Sequence, residues 1–339
     1  MQRALRSALK MPALAIMGVA IPALFFPGTI RAADAPVVVT SIKPIHSLVS
    51  AIMQGVGEPE LIVDGAASPH TYNLKPSNAR ALQNAKVIFW VGPGLEAFLE
   101  KPLQALGRDA SIAALDEAPG LVKLPFREGG AFEAHDDGDE HDTASSHEHH
   151  DHDAEAAHDA DDAHDHGAFD THLWLDPMNA KAMAAMITTT LVAADPANAL
   201  TYQGNAKALD DRLDALDAEI RGIVAPVKDK PFIVFHDAYQ YFEHRYGIRV
   251  AGSITVSPET IPGAERVSEI HSKVGQLGAT CVFAEPQFEP RLVDVVIEGT
   301  RARSGVLDPE AATLKAGPDL YFTLMRGIAS SMKGCLSGA

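Results

Sequence analysis

Seven short runs of β-branched and aromatic residues, each followed by a helix-length or turn-rich stretch, decide the fold class. The runs are Pro36–Thr40, Glu60–Val63, Val87–Val91, Phe232–Phe235, Arg249–Ala251, Cys281–Phe283 and Gly305–Leu307. Helical patterns lie between and after them: Ile45–Met53, Ser77–Asn84, a stretch from Leu95, Pro177–Val192, Ala238–Tyr246, Ala264–Leu277, Pro290–Thr300 and a terminal Leu320–Lys333. Such alternation predicts α/β architecture with mostly parallel sheets flanked by helices and right-handed crossovers. Midway, Asp195-Pro196 opens a long helix, roughly Ala197–Val224, with Leu200, Ala208, Leu209, Leu213, Leu216 and Ile220 assigned to its apolar stripe. A helix of that length makes a rigid link between two lobes. The chain of 339 residues is longer than one ordinary domain. We therefore expect an N-terminal lobe over 34–194, a linker helix over 195–228 and a C-terminal lobe over 229–339.

Two segments fall outside this pattern. Residues 1–33 begin with Arg3, Arg6 and Lys10, continue through an apolar stretch from Met11 to Phe26, and end in Ala32-Ala33. That is the layout of a secretory signal peptide. The apolar run is short for a membrane span of about 20 residues. Export to the periplasm is the expectation. The second segment, Glu133–Asp170, holds nine His (His135, His141, His147, His149, His150, His152, His158, His164 and His166), fifteen acids and no Lys or Arg. It has no hydrophobic period, so burial cannot offset its ordering entropy. We read it as a disordered surface insertion whose composition attracts metal ions weakly.

Charge narrows the partners. The net charge is −17, and loss of Arg3, Arg6, Lys10 and Arg31 with the leader takes it to −21. A chain so acidic does not neutralise phosphates, so nucleic acid is excluded as partner, and so is docking on anionic lipid through charge. Fifteen of the acids belong to the insertion, which leaves the rest of the mature chain near −6. Cys281 and Cys335, the only cysteines, are an even pair in an oxidising compartment. They read either as a disulfide or as two buried thiols.

Six His lie outside the insertion, and three sit where α/β folds place ligands. His236 ends the strand PFIVFH, His70 lies in the loop after a strand, and His172 stands where the insertion re-enters the fold. Asp308 follows the strand SGVL. Three imidazoles and a carboxylate suit Zn2+. Taken singly, each has a plainer reading: a loop His70, a helix-capping His172, a core His236, and Asp308 as an N-cap. Imidazole-rich sites favour zinc over manganese, and binding should weaken as pH falls through about 6.5, because ligand His must be neutral.

The stretches SPHTYNLKPSNARALQNAKVIFWVGPGLEAFL, HLWLDP, PFIVFHDAYQYFEHRYGI, FAEPQF and LDP resemble the zinc-specific substrate-binding proteins of ABC importers, the ZnuA type within a family that binds zinc or manganese. The resemblance implies two α/β lobes joined by a long helix, metal in the cleft between them, and delivery to an ABC importer permease by a monomeric receptor. It carries His70, His172 and His236 over as ligands of transported Zn2+. The fourth ligand is Asp308 or a water, because Pro69 occupies the position where some zinc members place a Glu. The resemblance also implies a Cys281–Cys335 disulfide, and a His- and acid-rich insertion is typical of zinc members. Closure should be a small tilt rather than a wide hinge. A Mn2+ or Fe2+ receptor of the same family is the alternative, although position 236 lacks the carboxylate of manganese members. A zinc hydrolase is a weaker one: there is no HExxH, and Glu285, the candidate base, reads better as a structural carboxylate near the cleft.

Overall fold

The computed structural model describes residues 35–127, 132, 169–255, 262–278, 280–288 and 291–338. The expected leader and nearly all of the His-rich insertion lie outside them.

The first half forms β1 (Val38–Thr40), α1 (Lys43–Ile52), β2 (Glu60–Leu61), α2 (Pro76–Asn84), β3 (Val87–Trp90), α3 (Ala97–Leu106), β4 (Ser111–Ala114) and α4 (Pro177–Ala194). Its four strands run parallel in the order β2-β1-β3-β4. After the 26-residue α5 (Ala199–Val224) come β5 (Phe232–His236), α6 (Gln240–Tyr246), β6 (Val250–Thr255), α7 (Ala264–Leu277), β7 (Cys281–Ala284), α8 (Arg291–Ile297), β8 (Arg303–Val306) and α9 (Leu320–Ser337). These strands are also parallel, in the order β6-β5-β7-β8. Both sheets thus share one topology, second-first-third-fourth. β3, β5 and β7 are buried along their whole lengths, as parallel strands covered by helices on both faces must be.

The expected α/β class with two parallel sheets and a long helix is what the chain adopts. The stripe on α5 needs correction. Tyr202, Leu209, Leu213, Leu216, Ile220 and Val224 are its buried residues, whereas Leu200 is 85% exposed and Ala208 faces solvent. Nine residues of helix turn by about 900°, so Leu200 points opposite Leu209. At about 1.5 Å per residue, α5 is about 39 Å long. It packs on α1 and α4 of the first half and on α9 of the second. One core cluster runs through the first sheet, α5 and α9, while a smaller one fills the space between the second sheet, α7 and α8.

Side chains from the first half also grip the segment between β8 and α9. The buried Lys43 ammonium donates to the carbonyls of Ala311 (3.1 Å), Ala312 (2.9 Å) and Leu314 (2.9 Å). Trp174 Nε1 donates to Pro309 O at 2.9 Å, and Tyr321 Oη to Trp174 O at 2.7 Å. Charge-assisted and buried bonds of this kind are the stronger ones. Cys281 on β7 is joined to Cys335 on α9 by a disulfide, which closes the second half on itself. Gly305 on β8 is required there, because a Cβ would come within 2.7 Å of two atoms of the Phe283 ring.

Under the first sheet, Glu96 is fully buried and accepts from Val91 N and Gly92 N, both at 3.0 Å. Burial pushes its carboxyl up to about 7 against the hydrogen bonds it accepts, and Asp116 adds to the rise. The folded state therefore holds this proton more tightly than the unfolded chain. Its stabilising contribution is full below about pH 4.5 and is lost as pH rises through about 7. Thermal unfolding of Glu96→Gln should show a flatter pH profile between those limits than the unaltered chain. Equal slopes would place the proton elsewhere.

Candidate metal centre

The second sheet presents two of the candidate site residues where its strand order reverses. The crossovers from β5 and β7 leave in opposite directions, and open α/β sheets bind ligands at the carboxyl ends of such strands. His236 is the last residue of β5, and Glu285 follows β7 directly. From the first half, His70 lies in a single 3-10 turn, Pro69–Thr71, whose N-cap Ser68 accepts from His70 N at 3.3 Å. His172 precedes another 3-10 turn, Leu173–Leu175, and Asp176 then caps α4 by accepting from Met178 N. The plainer reading of His172 as a cap does not hold for its side chain, which makes no cap bond and turns to Asp170.

These elements bring three imidazoles together. One ring nitrogen from each of His70, His172 and His236 lies within 4.8 Å of the others. The ring centroids are 5.1–5.8 Å apart, and His172 Nε2 is 3.2 Å from His236 Nε2. A tetrahedral zinc with Zn–N bonds of about 2.05 Å has an N···N edge of about 3.3 Å, so this pair already stands at coordination spacing. His172 and His236 are buried, and His70 is half-buried. Among the described residues this is the one such cluster of His, Cys, Asp and Glu.

Carboxylates stand behind two of the rings. Asp170 Oδ1 takes His172 Nδ1 at 2.7 Å and the His172 amide at 3.0 Å. Glu285 takes His236 Nδ1 at 2.7 and 2.9 Å and a weaker bond from Tyr239 Oη at 3.4 Å. A carboxylate on Nδ1 keeps the proton there, which leaves the Nε2 lone pair able to serve a metal ion. Burial alone would lower the His236 pKa; the charge and hydrogen bond of Glu285 outweigh it and raise it. Glu285 is thus spent on the far side of His236, not poised beside a metal as a base.

Asp308 is not among the residues whose ligand atoms all lie within 4.8 Å of one another. Its oxygens accept from Ala312 N (2.9 Å), Thr313 N (3.3 Å) and Gln287 Nε2 (3.2 Å), so it caps the turn that Lys43 grips from the carbonyl side. The nine His of the insertion lie outside the described residues. Asp170 was not singled out in the sequence, although the spacing Asp-Thr-His at the return of the insertion was its signal.

This fold and this donor set define a receptor that captures a divalent cation rather than one that transforms a substrate. Residues 38–335 match the family described as zinc-uptake complex component A periplasmic, ZnuA. The chain belongs to that family, whose members are periplasmic solute-binding proteins and not enzymes. The high-affinity zinc uptake system protein ZnuA of Brucella suis is 58% identical over 317 residues, covering 92% of this chain and 95% of its own. A crystal structure of ZnuA matches with a TM-score of 0.70 at 24% identity, over 89% of this chain and 99% of that one. The periplasmic zinc-binding protein TroA from Treponema pallidum matches with 0.72 at 21% identity, again over 89% and 99%. Those two likenesses carry the fold.

Proposed function

We propose that the chain binds Zn2+ between His70, His172 and His236 and delivers it to the permease of an ABC importer. The observation that carries this reading is the convergence of three ring nitrogens within 4.8 Å, two of them with their Nδ1 on buried carboxylates. Three imidazoles favour zinc over manganese, which prefers carboxylate and water. Asp170 and Glu285 contribute two negative charges behind neutral rings, matching a dication in a buried site. Asp308 stays with its turn, and a water takes the fourth position. The protein reaches the periplasm through residues 1–33 and acts there as a monomer, without nucleic acid.

The insertion is an auxiliary store. Its His bind several ions weakly, since each coordination orders a stretch of chain that has no packed core of its own. Deleting residues 135–166 should lower the zinc stoichiometry and leave one tight site. Calorimetric titration checks this, and loss of the tight site on deletion would contradict it. Titrating the same protein with Mn2+ separates the metals: tighter binding of Mn2+ than of Zn2+ would overturn the zinc assignment.

A further inference from the structure

The two ends of the insertion are fastened by a small set of residues that touch no metal. In the segment before it, Val122 pairs with Asn179 of α4, and the residues from Leu124 on bond the second half. Leu124 N donates to Tyr241 Oη at 3.1 Å, and Gln240 Nε2 donates to Pro125 O at 3.1 Å. The returning end pairs with the same place: Asp170 N donates to Leu124 O at 2.9 Å, and Tyr241 Oη donates to Asp170 O at 2.6 Å. Asp170 in turn holds His172 by Nδ1. One hydroxyl, Tyr241, thus joins the outgoing segment to the residue that orients a ligand.

Arg127 makes the matching connection to the other ligand. Its guanidinium bonds both oxygens of Asp237, Nε at 3.0 Å to Oδ2 and Nη2 to Oδ1. It also bonds both oxygens of Glu243, at 2.9 Å each. Asp237 is the residue after His236, and Glu243 accepts from Val250 N at 3.2 Å on the neighbouring strand. Both carboxylates are nine-tenths buried, while the guanidinium stacks 4.2 Å over Phe132. Only a planar fork reaches four oxygens in this arrangement; an ammonium is a point charge. Within four residues, Leu124 to Arg127, the chain therefore touches the turn that carries His172 and the turn that carries His236.

We propose that Arg127 is a positioning residue of the metal centre, whose grip on Asp237 and Glu243 holds the His236 turn in register with the Asp170–His172 turn. The proposal rests on the three-His reading above. Without the fork, two buried carboxylates beside His236 lose their cation, and the Nε2–Nε2 spacing is no longer fixed. Outer groups that orient ligands are worth about 10–100-fold in metal affinity.

The test is a chelator-competition titration of the full chain with Zn2+, run with the visible spectrum of the Co2+-loaded protein and the unfolding temperature of the metal-free protein. His236→Ala serves as the reference for the site. Arg127→Gln should weaken tight zinc binding by at least tenfold and alter the Co2+ bands. Tyr241→Phe, which removes the other fastening, should weaken it in the same sense. Arg127→Lys keeps the charge but not the fork and should weaken zinc at least threefold, which decides the matter if Arg127→Gln does not fold. Zinc affinity within twofold of wild type and unchanged Co2+ bands in these variants, with only a lower unfolding temperature, would make Arg127 a purely structural residue and overturn the proposal. A His236→Ala variant that binds zinc as wild type does would overturn the three-His reading itself, and the proposal with it.

Discussion

Replacing His236 with alanine lowers the affinity of the tight zinc site by on the order of 10²–10³. The size follows from dividing a typical zinc-site free energy of about 10–16 kcal/mol among four donors, about 2.5–4 kcal/mol each. His236 is the most buried of the three His, at 1% exposure, and its alanine variant removes a nitrogen donor from the end of β5. His172→Ala behaves alike, because its Nε2 faces His236 Nε2 at 3.2 Å. The fold survives both changes, since each ring ends an element and the cores lie elsewhere. The measurement is competition titration with a zinc chelator, with circular dichroism as the check on folding. Wild-type affinity in both variants would remove these residues from the site.

The second large effect comes from residues that never touch the ion. Asp170→Asn and Glu285→Gln keep the shape of the carboxylates and remove their charge. Each should cost about 10–100-fold in zinc affinity, and the pair together on the order of 10³. Two causes act together. The amide no longer selects the Nδ1–H tautomer, so Nε2 is not reserved for metal. The bound dication also loses the negative charge that offsets it in a buried place. If charge balance dominates, the loss in the double variant persists as pH rises, because relieving proton competition at the rings does not restore the missing negative charge. Affinity within threefold of wild type in the double variant would show that the rings alone hold the ion.

Much of the fold could be read from residue patterns, for reasons visible in particular elements. α7 spans Ala264–Leu277, the range its apolar period marks. β3, β5 and β7 are fully buried, so their sequences are continuous apolar runs with sharp ends. β4, Ser111–Ala114, escaped notice because it is an edge strand with two exposed residues and no β-branched run beyond Ile112. Leu200 was misplaced because a helix N-terminus has no preceding turn to fix its phase. In the site, the three His were legible as residues after strands and at the return of the insertion. Arg127 was not, because its partners lie 110 and 116 residues away and only packing brings them together; Asp170 carried the local signal Asp-Thr-His, two residues before His172. Asp308 follows β8 as its sequence position implied, and its carboxylate accepts from the amides of Ala312 and Thr313.

The most direct test of the three-His site is anomalous diffraction at the zinc edge from crystals of the zinc-loaded protein lacking residues 135–166. The account predicts one strong peak about 2.0–2.1 Å from a ring nitrogen of each of His70, His172 and His236, with Asp308 still bonded to Ala312 N. A cleft without a peak, or a peak beyond bonding distance of any one of the three imidazoles, would contradict it.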